Sequence, residues 1–132
     1  MLKKKLHHGI GECPGCAEDA CSTDGLRHIF TASEKRLLFG LALCHAELDR
    51  VDFSGADLRD AEFISVSLVA ADFSGADLRG ASFFRCDLRE ARFEGALFQL
   101  SRFDDSWLIG ARGLSEPMRQ YVRRRGGHLW VS

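Results

Sequence analysis

The chain has 132 residues and a formal net charge of −1, which fits a single domain and excludes a partner selected by bulk charge alone. Hydrophobic residues make up 45% and charged residues 28%, a globular composition rather than a disordered or membrane-spanning one. The charge is unevenly placed: residues 46–108 carry thirteen acidic residues against seven arginines, and residues 109–132 carry five arginines against one glutamate, so an acidic body adjoins a basic end.

Residues 1–30 show no hydrophobic periodicity. Lys3–Lys5 is followed by His7, His8 and Gly9 rather than by an apolar core, so no secretory leader is expected and the cytoplasm is the default location. No stretch approaches transmembrane length, so no membrane partner is expected. The five cysteines are then expected to be reduced. Cys13-Pro14-Gly15-Cys16 with Cys21, and with His7, His8 and His28 nearby, offers thiolates and imidazoles that suit tetrahedral zinc. Cys13, Cys16, Cys21 and His8 form the candidate set, although only one Cys-x2-Cys edge is present where the full signature has two. Reactive thiols, a labile disulfide and simple packing are the competing readings. A thioredoxin-like role lacks its βαβ setting.

Residues 31–45 read as an N-terminal cap and first partial coil. Thr31 with Glu34 makes a capping box for a short helix over 31–40. Leu41 and Leu43 already fall in the register of the repeat that follows. The competing reading is an irregular half-coil carrying Leu38 and Leu43 without a helix.

Residues 46–112 advance by five. A large apolar residue recurs at Leu48, Phe53, Leu58, Phe63, Leu68, Phe73, Leu78, Phe83, Leu88, Phe93, Phe98, Phe103 and Leu108. Two positions before each stands a small residue, mostly Ala, otherwise Val51, Val66, Cys86, Ser101 or Ser106. A helix repeats every 3.6 residues and a strand every 2, so a step of five fits neither. Within one unit the two apolar residues alternate as in a strand and point inward, with the residue between them pointing out. The last two residues must turn the chain. Gly55, Gly75, Gly80, Gly95 and Gly110 stand at the final position, where a type II turn asks for positive φ. A longer period of twenty is superimposed: VDFSGADLRDAEF at 51–63 returns as ADFSGADLRGASF at 71–83. The apolar residues therefore sort into four columns, headed by Leu48, Phe53, Leu58 and Phe63. Like residues stack at the inter-strand spacing of about 4.8 Å.

This pattern resembles the pentapeptide-repeat family, A(D/N)LXX, over about half the chain. The resemblance implies an all-β fold, a right-handed quadrilateral β-helix, to which the flanking segments would add short N- and C-terminal helical caps. It implies little about function, because the family holds many unrelated roles. Its quinolone-resistance branch imitates DNA and acts on type II topoisomerases such as DNA gyrase, but tends to have a longer coil with loop insertions, and this coil has none.

The outward position between the two inward residues is acidic in seven of the thirteen units: Glu47, Asp52, Asp57, Glu62, Asp72, Asp77 and Asp87. Asp52 stacks over Asp72, and Asp57 over Asp77. Paired carboxylates can act as acid and base, yet these stand on a flat surface. They either bond the backbone near the turns or form a negative ladder that imitates DNA phosphates. Ile64 over Phe84, together with Leu97 and Trp107, places apolar side chains outward, as a contact surface or as cover for the N-terminal segment. Cys86 takes an inward slot as a small core residue.

Residues 113–132 read as a C-terminal cap and tail. Ser115 caps, Pro117 opens and Gly126-Gly127 stops a helix over Met118–Arg125. Arg123–Arg125 suit its last turn. Without interleaved aromatics they do not announce direct nucleic-acid binding. The tail His128–Val131 suits packing under the helix or onto a second subunit as a homodimer. No triad, phosphate loop or convergent carboxylate pair is present. The expectation is a non-enzymatic protein-protein interaction module with no small-molecule substrate. The alternatives are a DNA mimic on a type II topoisomerase, through Asp52, Asp57, Asp72 and Asp77, and a metal- or redox-responsive binder.

Overall fold

An inward-outward-inward triplet has too few residues to close a sheet by itself, so each unit must bond to the units twenty residues before and after it. A computed structural model shows this arrangement and describes residues 5–7, 35, 36 and 38–129. Strands β1 (Lys5–His7), β2 (Ala42–Cys44), β3 (Glu62–Ile64) and β4 (Ser82–Phe84) form one parallel sheet in the order β1-β2-β3-β4. The register advances by one turn of twenty, with Leu43 beside Phe63 and Phe63 beside Phe83. Three further columns of parallel bridges run through Glu47, Ser67, Asp87 and Trp107, through Asp52, Asp72, Arg92 and Arg112, and through Asp57, Asp77 and Leu97. The chain is a β-helical solenoid.

The core follows the period. All thirteen large apolar residues of the repeat are buried, as are Leu38, Leu41 and Leu43 ahead of it. Aromatic rings stack along two columns. Phe63, Phe83 and Phe103 have centroids 4.9 and 5.2 Å apart with planes within 3° of parallel. Phe53, Phe73 and Phe93 follow at 5.6 and 5.3 Å. Ser101 and Ser106 occupy inward slots without orphaned hydroxyls. The Ser101 hydroxyl donates to the Phe98 carbonyl, and the Ser106 hydroxyl donates to the Phe83 carbonyl at 2.9 Å.

The turns depart from the sequence reading in one respect. Glycine was expected to mark them, yet His45, Arg50, Asp60, Ser65, Ala70, Arg85, Glu90, Leu100 and Asp105 take the same left-handed conformation, with φ between 52 and 66°. The surrounding bonds over-determine it. The Ala70 amide donates to the Arg89 carbonyl of the next coil, and the Ala71 amide donates to Leu68 across the turn. Glycine lowers the cost of the turn but is not a condition for it.

At its two ends the coil gives way to other structure. The helix expected over 31–40 rests on Thr31 and Glu34, which lie outside the described residues. Within them, Lys35 is helical, Leu38 is buried and the Leu41 amide donates to its carbonyl, so the repeat register reaches back to 38. At the other end, helix α1 (Glu116–Arg124) lies against the last coil, begun by Pro117 after Ser115. Ser115 has extended backbone but makes no side-chain capping bond. Val122 is buried, and the Tyr121 hydroxyl donates to the Ser101 carbonyl at 3.0 Å. The tail then resumes the coil. Leu108 donates to the His128 carbonyl, His128 donates back to Ser106, and Leu129 is buried.

Candidate functional site

The four singled-out aspartates stand at one position of the unit, and each caps its own turn. Asp52 and Asp72 accept the amides of Ser54 and Ser74 at 2.9 Å. Asp57 and Asp77 accept those of Arg59 and Arg79 at 3.3 and 3.2 Å. A carboxylate three residues before the left-handed position satisfies the amide just ahead of that position, which the coil leaves open. This is the structural reading of the acidic pattern.

Their charges are largely met on the spot. Arg59 grips Asp57 with both arms of its guanidinium at 2.8 Å. Arg79 holds Asp77 at 2.8 and 2.6 Å, and Arg89 repeats the fork on Asp87. Lys35 lies 3.1 Å from Asp52. Among the described residues only Asp72 of the four makes no ion pair. The Arg59 fork draws the Asp57 carboxyl below its ordinary value of 3.8, against burial, and the Arg79 fork does the same for Asp77. At Asp52 burial pushes upward, but the Ser54 hydroxyl and amide and Lys35 outweigh it.

A pH dependence follows. A carboxyl with a depressed folded value stabilises the native state above its unfolded value and loses that contribution as pH falls. The native chain is expected to lose its stability advantage over Asp57→Asn/Asp77→Asn as pH drops below 3.8. Urea unfolding of both proteins at neutral and acidic pH checks this; a constant difference would contradict it.

The four outward apolar residues do not form one patch. Ile64 and Phe84 sit next to each other on β3 and β4. They floor a groove of about 640 Å³ lined also by Glu62, Ser82, Arg102, Asp104 and Asp105. Phe84 is 38% exposed and Arg85 lies over its ring at 5.1 Å. Leu97 stands on the column of Asp57 and Asp77, and Trp107 on that of Asp87, where it packs on the His128 ring at 5.1 Å. The acidic rim residues Asp104 and Asp105, which line the groove, were missed by the sequence reading. They lie at 104 and 105, one turn of twenty after Phe84 and Arg85, so the period itself could have found them.

The cysteines divide. Cys13, Cys16, Cys21 and His8 lie outside the described residues, and among the described residues no cluster of His, Cys, Asp or Glu could hold a metal ion. Cys44 is disulfide-bonded, against the reduced state expected of the cysteines. Cys86 is a free, buried thiol, as its inward slot predicts. Burial pushes it up to about 12, and it donates to the Phe63 carbonyl at 3.2 Å. Since thiolate is the reactive form, Cys86 is expected to resist iodoacetamide in the native protein and to react in urea. Peptide mass spectrometry checks this; native alkylation would contradict it.

The comparisons with known proteins agree with this geometry. The family model for pentapeptide repeats, described as eight copies, matches residues 38–75, 46–83 and 76–112. The chain belongs to the pentapeptide-repeat family. Among solved structures it is similar to the pentapeptide repeat protein Rfr23 of the cyanobacterium Cyanothece 51142, with 25% identity and a TM-score of 0.53. That match covers 67% of this chain and 56% of Rfr23, so this chain spans little more than half of that relative. A pentapeptide repeat protein of the Arabidopsis thaliana thylakoid lumen is 30% identical over 70% of each chain, with a TM-score of 0.37. QnrB1, a plasmid-mediated fluoroquinolone resistance protein, is 21% identical over 61% of this chain and 62% of its own, with a TM-score of 0.36. No curated protein sequence matches. Among the described residues no helix of this pentapeptide-repeat chain is long and apolar enough to cross a membrane.

Proposed function

We propose that the chain is a non-enzymatic protein-binding module: a right-handed quadrilateral β-helix, closed by short helical caps, whose partner docks in the groove over Ile64 and Phe84. The observation that supports it is the groove's make-up. An exposed aromatic ring and an isoleucine form its floor, and Glu62, Asp104 and Asp105 stand around them with Arg102 as the lining cation. Arg102 is already engaged by Asp104 at 3.0 Å and Arg85 lies over the Phe84 ring, so Glu62 and Asp105 are the acidic groups left at the rim to meet a partner. The chemistry suits a segment that inserts an apolar side chain flanked by lysine or arginine.

DNA mimicry through Asp52, Asp57, Asp72 and Asp77 is the second reading. A phosphate surrogate must present uncompensated charge, and three of these four carboxylates are ion-paired within the chain. The likeness to QnrB1 lends it no weight at its TM-score of 0.36. A supercoiling assay with a type II topoisomerase separates the two. The groove reading expects no inhibition at micromolar protein. Inhibition that disappears when the four aspartates become asparagine would move the site to the carboxylates.

The metal- or redox-responsive reading of Cys13, Cys16, Cys21 and His8 is tested by elemental analysis of protein purified without added metal. Stoichiometric zinc would establish the site, and metal-free protein with unchanged stability in chelator would remove it.

A further inference from the structure

One outward column differs from the others in how its charges are arranged. From the N-terminal to the C-terminal end it reads Asp52, Asp72, Arg92, Arg112, and each is bridged to the next in parallel register. The four side chains therefore stand on successive rungs about 4.8 Å apart. On the neighbouring columns Asp57, Asp77 and Asp87 are each cancelled by an arginine fork of the same unit. Here Asp72, Arg92 and Arg112 make no ion pair among the described residues. Lys35 reaches this wall at its first rung, 3.1 Å from Asp52 and from the Ser54 hydroxyl. Ser54, Ser74 and Glu94 follow the inward phenylalanines, and Gly55, Gly75 and Gly95 form its corner.

We propose that this wall is the contact surface for a second copy of the same chain. The two copies pack face to face with antiparallel coil axes, about a two-fold axis parallel to the strands and midway between the rungs of Asp72 and Arg92. That operation lays each column on its own reverse. Asp72 meets Arg92 of the second copy, Asp52 meets Arg112, and both pairs recur by symmetry. Beside them Ser74 meets Glu94 and Gly75 meets Gly95; like charges meet only where Lys35, held on Asp52 at 3.1 Å, faces Arg112 of the second copy, so the central Asp72–Arg92 pairs carry the contact. A parallel arrangement would set Asp on Asp and Arg on Arg, which fixes the direction. The wall is distinct from the β2–β4 sheet that floors the groove, so dimerisation leaves the groove open. Four rungs fall short of a standard interface, and the contact is mainly ionic, so the dimer is weak and yields to salt.

Sedimentation equilibrium of the full chain tests this, at low and high ionic strength. Two variants accompany the native protein: Arg92→Asp/Arg112→Asp, with an all-acidic column, and Asp52→Arg/Asp72→Arg, with an all-basic one. The native chain is expected to dimerise at low salt and to weaken by about tenfold or more at high salt. Each variant alone is expected to be monomeric, and an equimolar mixture to restore the dimer. Where circular dichroism shows that a reversed variant has lost the native fold, Arg92→Gln/Arg112→Gln replaces it and is expected to be monomeric. A native chain that stays monomeric at low salt overturns the proposal. So does a dimer that survives in the altered columns, or a mixture of folded variants that does not associate.

Discussion

Replacing Phe83 by alanine is expected to destabilise the protein by about 3–5 kcal/mol. The ring is fully buried and lies between Phe63 and Phe103 at 4.9 and 5.2 Å, with the Phe73 edge at 5.8 Å. Its removal loses burial, two stacked contacts and one edge contact, each aromatic pair adding about 0.5–1.5 kcal/mol beyond area. The cavity cannot collapse easily, because alanines such as Ala81 share the interior and the rung bonds fix the backbone. In a solenoid each coil meets only its neighbours, so a gap in a central coil loosens both halves. Urea unfolding followed by circular dichroism checks this, with Phe83→Leu as a milder companion. A loss below about 1 kcal/mol, inside the range of ordinary surface changes, would contradict the stacked core.

Gly127→Ala is expected to unseat the C-terminal element and cost about 1–3 kcal/mol by overpacking. A Cβ there would stand 2.5 Å from Val122 Cγ1, and 3.1 Å from both Leu108 Cδ1 and Phe103 Cβ. Val122 is the buried residue of α1, so the clash pushes the helix off the open end of the coil. Gly55→Ala is the control. It has φ +67° and nothing within 4 Å of the added carbon, so it should cost only the left-handed penalty of about 1–2 kcal/mol. Hydrogen exchange separates them. The Leu108 amide, bonded to the His128 carbonyl, should lose protection in Gly127→Ala and keep it in Gly55→Ala.

The columns were legible because the step of five never breaks between Leu48 and Leu108, and a strict period leaves one way to bury thirteen large side chains. The charge forks were nearly as legible, since Asp57-Leu58-Arg59 returns as Asp77-Leu78-Arg79 and Asp87-Leu88-Arg89. The turns were read too narrowly. Glycine marks six of them, Gly40 included, but bonds to the adjacent coil hold residues such as Glu90 and Leu100 in the same conformation. The pairing of Lys5–His7 beside Ala42–Cys44 had no local signal, because a three-residue strand shows no period. The return of Gly127 to Leu129 to the coil was hidden as well. Helix α1 interrupts the register, and His128 pairs with Trp107 twenty-one residues back rather than twenty. Ile64 and Phe84 stand side by side on β3 and β4 because they are twenty residues apart. Leu97 and Trp107 fall on other columns, because outward positions five residues apart lie on successive columns.

The groove over β3 and β4 carries the account, and a photo-crosslinking amino acid placed there tests it most directly. Introduced at Phe84 in the cells that make this protein, with Leu97 as the comparison position, it reports which surface meets a partner. The account predicts a discrete protein adduct from position 84 that Glu62→Lys/Asp105→Lys abolishes, and none from position 97. Adducts from position 97 with none from position 84 would contradict it and place the binding surface on the column of Asp57 and Asp77.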